Sequence, residues 1–105
     1  MCEFKVKLGD KVVAEEILAF NYTSSGQGSN FSDVLGRTTL LKDVLVTGVN
    51  MLPGRHEITL LQTPATGKAV ELLLTLAAKS TPTFNREHAQ QLLRELTDIV
   101  EKELK

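Results

Sequence analysis

The 105-residue chain has no tryptophan, one cysteine and three prolines, and its only aromatics are four Phe and one Tyr. A single cysteine excludes an internal disulfide, so packing alone must hold the fold, and it suits a reducing compartment. The few aromatics sit mostly on what read as apolar strand faces, which leaves no evident platform for stacking bases. Positive charge is not in excess: 12 Lys+Arg face 13 Asp+Glu, a net −1 at pH 7. That balance, with a pI near 6.1, argues against nucleic-acid binding by bulk electrostatics. No apolar run approaches the roughly 18 residues of a membrane span, and the opening residues lack the apolar central region of a signal peptide. The expectation is one cytoplasmic domain over 1–105, away from the membrane.

Catalytic signatures are also missing. Gly-x-Ser-x-Gly, a P-loop, Cys-x-x-Cys and His-x-x-x-His do not occur, and each would be needed to place a nucleophile, a phosphate cradle or a metal pair at fixed spacing. Gly26-Gln27-Gly28 supplies two glycines of a dinucleotide fingerprint, but position 31 is Phe and no strong helix follows. An enzyme is not expected.

What is present is alternation, then helical periodicity. Phe4, Val6 and Leu8 point one way and Glu3, Lys5 and Lys7 the other, the period of a strand with one wet face. Gly9-Asp10 reads as a two-residue hairpin turn leading into a second strand from about Lys11 to Tyr22. Glu15 and Glu16 would place a charge on its inner face, a conflict that a bulge resolves. Residues 23–30 read as a surface loop. Extended pieces follow at 31–35, 38–41, 44–49 and 56–61, separated by turn signals such as Pro53-Gly54. Ala69–Leu76 suits a strand or a short helix.

After Pro82, Asn85 is an N-cap candidate. Ala89, Leu92, Leu93, Leu96, Ile99, Val100 and Leu104 then form one helical stripe, and Asp98–Lys102 and Glu101–Lys105 are acid-first i,i+4 pairs. The fold class expected is mainly β: a small barrel of short antiparallel strands over 1–80, followed by one long amphipathic helix over 81–105.

Three side chains are candidates for chemistry. His88, in the first turn of the helix, reads as a solvent-facing or capping residue. His56 opens a strand, where a partly exposed histidine is commoner than a metal ligand. Cys2 differs because removal of Met1 would place an α-amino group and a thiol on one residue. Amine nitrogen and thiolate sulfur close a five-membered chelate ring, and a square-planar N,S set favours Ni(II) or Cu(II). Two chains at a twofold axis would supply four donors.

The opening Met1-Cys2-Glu3-Phe4-Lys5-Val6 resembles that of the CooT-like family, small nickel-binding proteins that begin Met-Cys with a strand immediately after. Phe31-Ser32-Asp33-Val34-Leu35-Gly36 and His56-Glu57-Ile58-Thr59-Leu60 resemble its middle and final strands, so the likeness covers residues 1 to 61. It implies a β-barrel, a homodimer and nickel held by Cys2. It also implies a link to nickel handling for carbon monoxide dehydrogenase, and hence a nickel-enzyme maturation partner. Many family members are labelled predicted RNA-binding proteins, so an RNA-binding or protein-interaction module is the alternative, with RNA not favoured on charge. The Leu-rich segment and the C-terminal helix depart from the family pattern.

Overall fold

The alternation in the first residues becomes strand β1, Phe4–Leu8, in which Val6 is fully buried and Phe4 and Leu8 pack against the same core. The computed structural model describes residues 3–23 and 28–105. Gly9, at φ +61°, takes the first central position of the turn into β2, Lys11–Tyr22. β2 has a bulge where the paired acids require one. Between the pairs Phe4↔Ile17 and Val6↔Ala14, β1 advances two residues and β2 three. Glu16 absorbs the extra residue at φ +57°, and both glutamates stay exposed.

The remaining strands are β3 (Ser29–Asp33), β4 (Thr38–Leu41), β5 (Val44–Leu52) and β6 (Arg55–Gln62). β3 begins two residues earlier than the apolar pattern suggests, because Ser29 and Asn30 pair with Tyr22 and Asn21. The 23–30 loop expectation otherwise falls on 24–27, outside the described residues. The strands form one sheet in the order β4-β3-β2-β1-β6-β5.

Two expectations are corrected here. The sheet is not closed into a barrel, and its strands are not all antiparallel, since β1 and β6 run parallel. The physical reason lies in the connections. A parallel neighbour for β1 requires the chain to travel round β2–β5 before returning, which leaves β4 and β5 as two edges not hydrogen-bonded to each other. Yet only Lys42 and Asp43 separate those edges in sequence. Six strands laid flat would hold them about 24 Å apart, whereas the link from Leu41 to Val44 spans at most about 11 Å. The sheet must therefore curl strongly.

Curling encloses a core of Val6, Ile17, Phe31, Val44, Ile58 and Leu60, drawn from five strands. Phe20 stacks on Phe31 at 5.9 Å and meets Tyr22 edge-on at 6.1 Å. Where no ladder closes the gap, the Val46 backbone N–H donates to the Tyr22 hydroxyl at 2.9 Å, tying β2 to β5.

The Leu-rich segment is a helix, α1 (Thr66–Ala77), and not a strand, so the β-rich part ends at Gln62 rather than near residue 80. α1 has no side-chain cap of its own. Asp43, at the β4–β5 corner with φ +58°, accepts from the Gly67 N–H at 3.2 Å through its carboxylate. Its carbonyl accepts from Thr63 N–H at 3.1 Å. One corner residue thus fixes both the end of β6 and the start of α1.

α2 (Arg86–Glu103) is the expected C-terminal helix, 18 residues long. Asn85 caps it, its side chain accepting from the His88 N–H at 3.1 Å. The expected Asp98–Lys102 and Glu101–Lys105 ion pairs do not form. The helices pair antiparallel through Lys68–Glu95 at 2.9 Å and His88–Glu71 at 3.6 Å instead. Among the described residues no helix is long and apolar enough to cross a membrane.

Candidate functional site

Cys2, the metal-binding candidate, lies with Met1 outside the described residues. It is bonded to Glu3, and the surroundings of Glu3 are described. The parallel register Lys5↔Glu57 sets the start of β1 beside the start of β6. Glu3 and Lys5 there line a cleft of about 230 Å³ with Gly54, Arg55, His56 and Glu57.

Of the charged residues lining this cleft, Glu57 and Arg55 are paired with each other. Glu57 receives the Lys7 ammonium at 2.8 Å and the Arg55 guanidinium at 3.0 Å, and its side chain is only 12% exposed. The Lys7 hydrogen bond, followed by that of Arg55, holds the Glu57 carboxyl below the usual glutamate range against the opposing effect of desolvation. A carboxylate bound by two cations is a poor metal donor. His56 is half-buried, with its ring 5.7 Å from that of Phe4 and tilted by 51°. This is the packed strand-end histidine that its sequence position suggests. His88, half exposed and bridging to Glu71 across the helices, is likewise structural.

Among the described residues no group of three or more His, Cys, Asp or Glu side chains is placed to hold a metal ion. The metal expectation therefore rests on Cys2 and its own amine. Next to the cleft, the tip of β5 leaves Val49, Met51 and Leu52 exposed, a concentration of apolar surface at the end of the sheet where Glu3 begins the described chain.

A second cleft, of about 540 Å³, is one that sequence reasoning missed. It lies over the β2 bulge and is lined by residues including Glu15, Glu16, Asp33 and Arg37. Asp33 organises the β3–β4 turn, accepting from Leu35 N–H and Arg37 N–H at 2.9 Å each and from Arg37 Nε at 2.8 Å. Desolvation works to raise the Asp33 carboxyl, but the Arg37 backbone and side chain together with the Leu35 N–H outweigh it and the net shift is downward. Asp33 is therefore occupied as a turn acceptor, and the cleft contains no nucleophile–base pair. The only signal for it in the sequence was the double glutamate that required a bulge.

Comparisons with protein families, with curated proteins and with solved structures find no match to this chain.

Proposed function

We propose that this chain is a small nickel-binding protein that holds the ion without catalytic turnover, as a carrier or accessory factor for a nickel enzyme. The Cys2 thiolate and, once Met1 is removed, the Cys2 α-amino group are the donors; they form a five-membered chelate suited to square-planar Ni(II). A second chain supplies the matching pair. The observation that carries this reading is the position of Glu3, the residue bonded to Cys2. It lines an open cleft at a sheet end whose neighbouring carboxylate is already neutralised and whose flanking β5 tip is apolar. An open cleft beside an apolar rim suits an ion that must be passed on.

The RNA-binding alternative needs a run of free cations, and on this sheet Lys7, Arg55 and Arg37 are held by carboxylates, which leaves Lys5 and Lys11 as the unpaired strand cations among the described residues. Binding of RNA that weakens steeply with salt would favour it nonetheless.

The test is a Ni(II) titration of natively expressed protein whose intact mass shows Met1 removed, run beside Cys2→Ser. One ion per two chains is expected, with a thiolate charge-transfer band absent from the variant. Affinity should fall with acid, because thiol and amine must both lose protons before they coordinate. Unchanged Ni(II) affinity in Cys2→Ser would overturn the reading.

A further inference from the structure

Thr66, the first residue of α1, is only 5% exposed, and among the described residues its Oγ1 has no hydrogen-bond partner. Burying a hydroxyl without a partner is costly, and native structures rarely leave one so. Thr66 does not cap its own helix, since the N-cap position is Ala65. Its backbone N–H is already used, donating to the Thr63 carbonyl at 3.0 Å. Only the side-chain oxygen needs a partner.

Two more polar groups at the same corner are half used. Asp43 takes the Gly67 N–H at 3.2 Å on Oδ1, and its Oδ2 has no partner among the described residues. The Tyr22 hydroxyl accepts from the Val46 N–H at 2.9 Å, while its own proton has no acceptor among the described residues. Tyr22, Asp43 and Thr66 all line one small cavity, whose walls also include Gly28, Val44 and Val70. Its volume is about 10 Å³, close to the least that holds a water molecule and too small for any organic group. Charge narrows the occupant further. The N-terminal end of a helix is positive, which works against a cation here, and the Asp43 carboxylate works against an anion. A neutral molecule that both donates and accepts suits both sides of the site.

We propose that this cavity is a binding site for one ordered water molecule, which bridges Thr66, Tyr22 and Asp43. The Thr66 and Tyr22 hydroxyls donate to it, and it donates to the Asp43 carboxylate, so three hydrogen bonds satisfy all three half-used groups at once. The partners come from α1, from β2 and from the corner between β4 and β5. The water therefore ties the helical pair to the seam where the curled sheet does not close, and Tyr22 links β5 to it through Val46. The site draws on no residue of the metal reading, so its failure leaves that reading where it stands.

The experiment reads the sign of a stability change in full-length protein. Thr66→Val exchanges the hydroxyl for a methyl group of the same shape, at nearly equal helix propensity. With the hydroxyl bonded to water, the variant leaves the water one partner short, and the urea midpoint should fall. With the hydroxyl merely stranded, its removal relieves a desolvation cost, and a midpoint that rises would overturn the proposal. Tyr22→Phe combined with Thr66→Val should lose less than the two single losses added, because both act on one molecule; strict additivity would count against the bridge. A high-resolution crystal structure of wild type and of Thr66→Ser, which keeps the oxygen, should show one density peak within hydrogen-bonding distance of all three side chains. The lack of such a peak in the wild type would overturn the site. So would a urea midpoint that depends on Na⁺ or K⁺ at fixed ionic strength, which would assign the space to a cation.

Discussion

Gly28 and Asp43 do more to shape this fold than any residue chosen for chemistry. Gly28 has φ +149°, and a Cβ placed there would lie 2.7 Å from the Leu41 backbone oxygen. Both a left-handed conformation and a backbone contact forbid a side chain, so β3 can approach β4 only through glycine. Gly28→Ala should cost about 2–4 kcal/mol in urea unfolding, combining strain and overpacking. Gly36→Ala, at φ +81° with open space around it, should cost only about 1–2 kcal/mol. Equal losses would mean that the close approach is not what matters. In the sequence Gly28 was one of two glycines in a polar stretch, and nothing local distinguished it from Gly26; the neighbour that excludes a methyl group is Leu41, thirteen residues away.

Among the secondary-structure elements, legibility followed the source of the constraint. α2 was readable because its cap, its stripe and its first-turn acid are all local. Asn85→Ala should lower stability by about 0.5–2 kcal/mol, with the loss of helix signal following the same transition. A variant indistinguishable from wild type would show that the cap is replaced by solvent. β1 and the Gly9 turn were readable for the same reason. α1 was ambiguous because Ala69–Leu76 is apolar at nearly every position, so neither period stands out. The choice of helix is supported from outside the segment, by the Asp43 carboxylate on Gly67 and by the facing side of α2. The i,i+4 pairs expected along α2 failed to form because exposed, flexible side chains gain little from pairing, whereas Glu95 reaches Lys68 on the other helix.

For the whole molecule, closure of the curled sheet depends on few contacts. Tyr22→Phe removes the hydroxyl that accepts from Val46 N–H and should cost about 1–3 kcal/mol by stranding a partly buried donor. A neutral result would mean that the corner at Asp43 holds β2 and β5 together unaided. Stability should also depend on pH at both extremes. Asp33, Glu57 and Glu95 are held below their ordinary values of 3.8, 4.5 and 4.5. Their contribution is therefore complete above those values and lost as pH falls through the lower folded-state pKa values. Lys68 is raised above 10.5, chiefly by its hydrogen bond to Glu95, so its contribution is complete below that pH and lost above it. Urea midpoints should stay level through neutrality and fall below about pH 4.5. Glu57→Gln should flatten part of that acid limb, and an unchanged limb would show that Lys7 and Arg55 gain nothing from the carboxylate.

Local chemistry was enough to place the strands as far as residue 61, most of the turns between them and the bulge, and to place a capped helix after Pro82. It carried the β-rich region on to residue 80, however, and the expectation of a metal at Cys2 falls outside the described residues. Alternation, turn residues and helical period are properties of neighbours in sequence, and they survive without a fold. Whether the sheet closed, which strands ran parallel, how Glu57 and Asp33 were neutralised, and which leucines stayed uncovered were decided only in the tertiary structure. Each depends on residues brought together from distant points of the chain. The barrel expectation failed on that ground: turn spacing sets how many strands there are, but hydrogen bonding between β4 and β5 would have required the two ends of a curled sheet to meet, and the Lys42–Asp43 corner brings them near without pairing them.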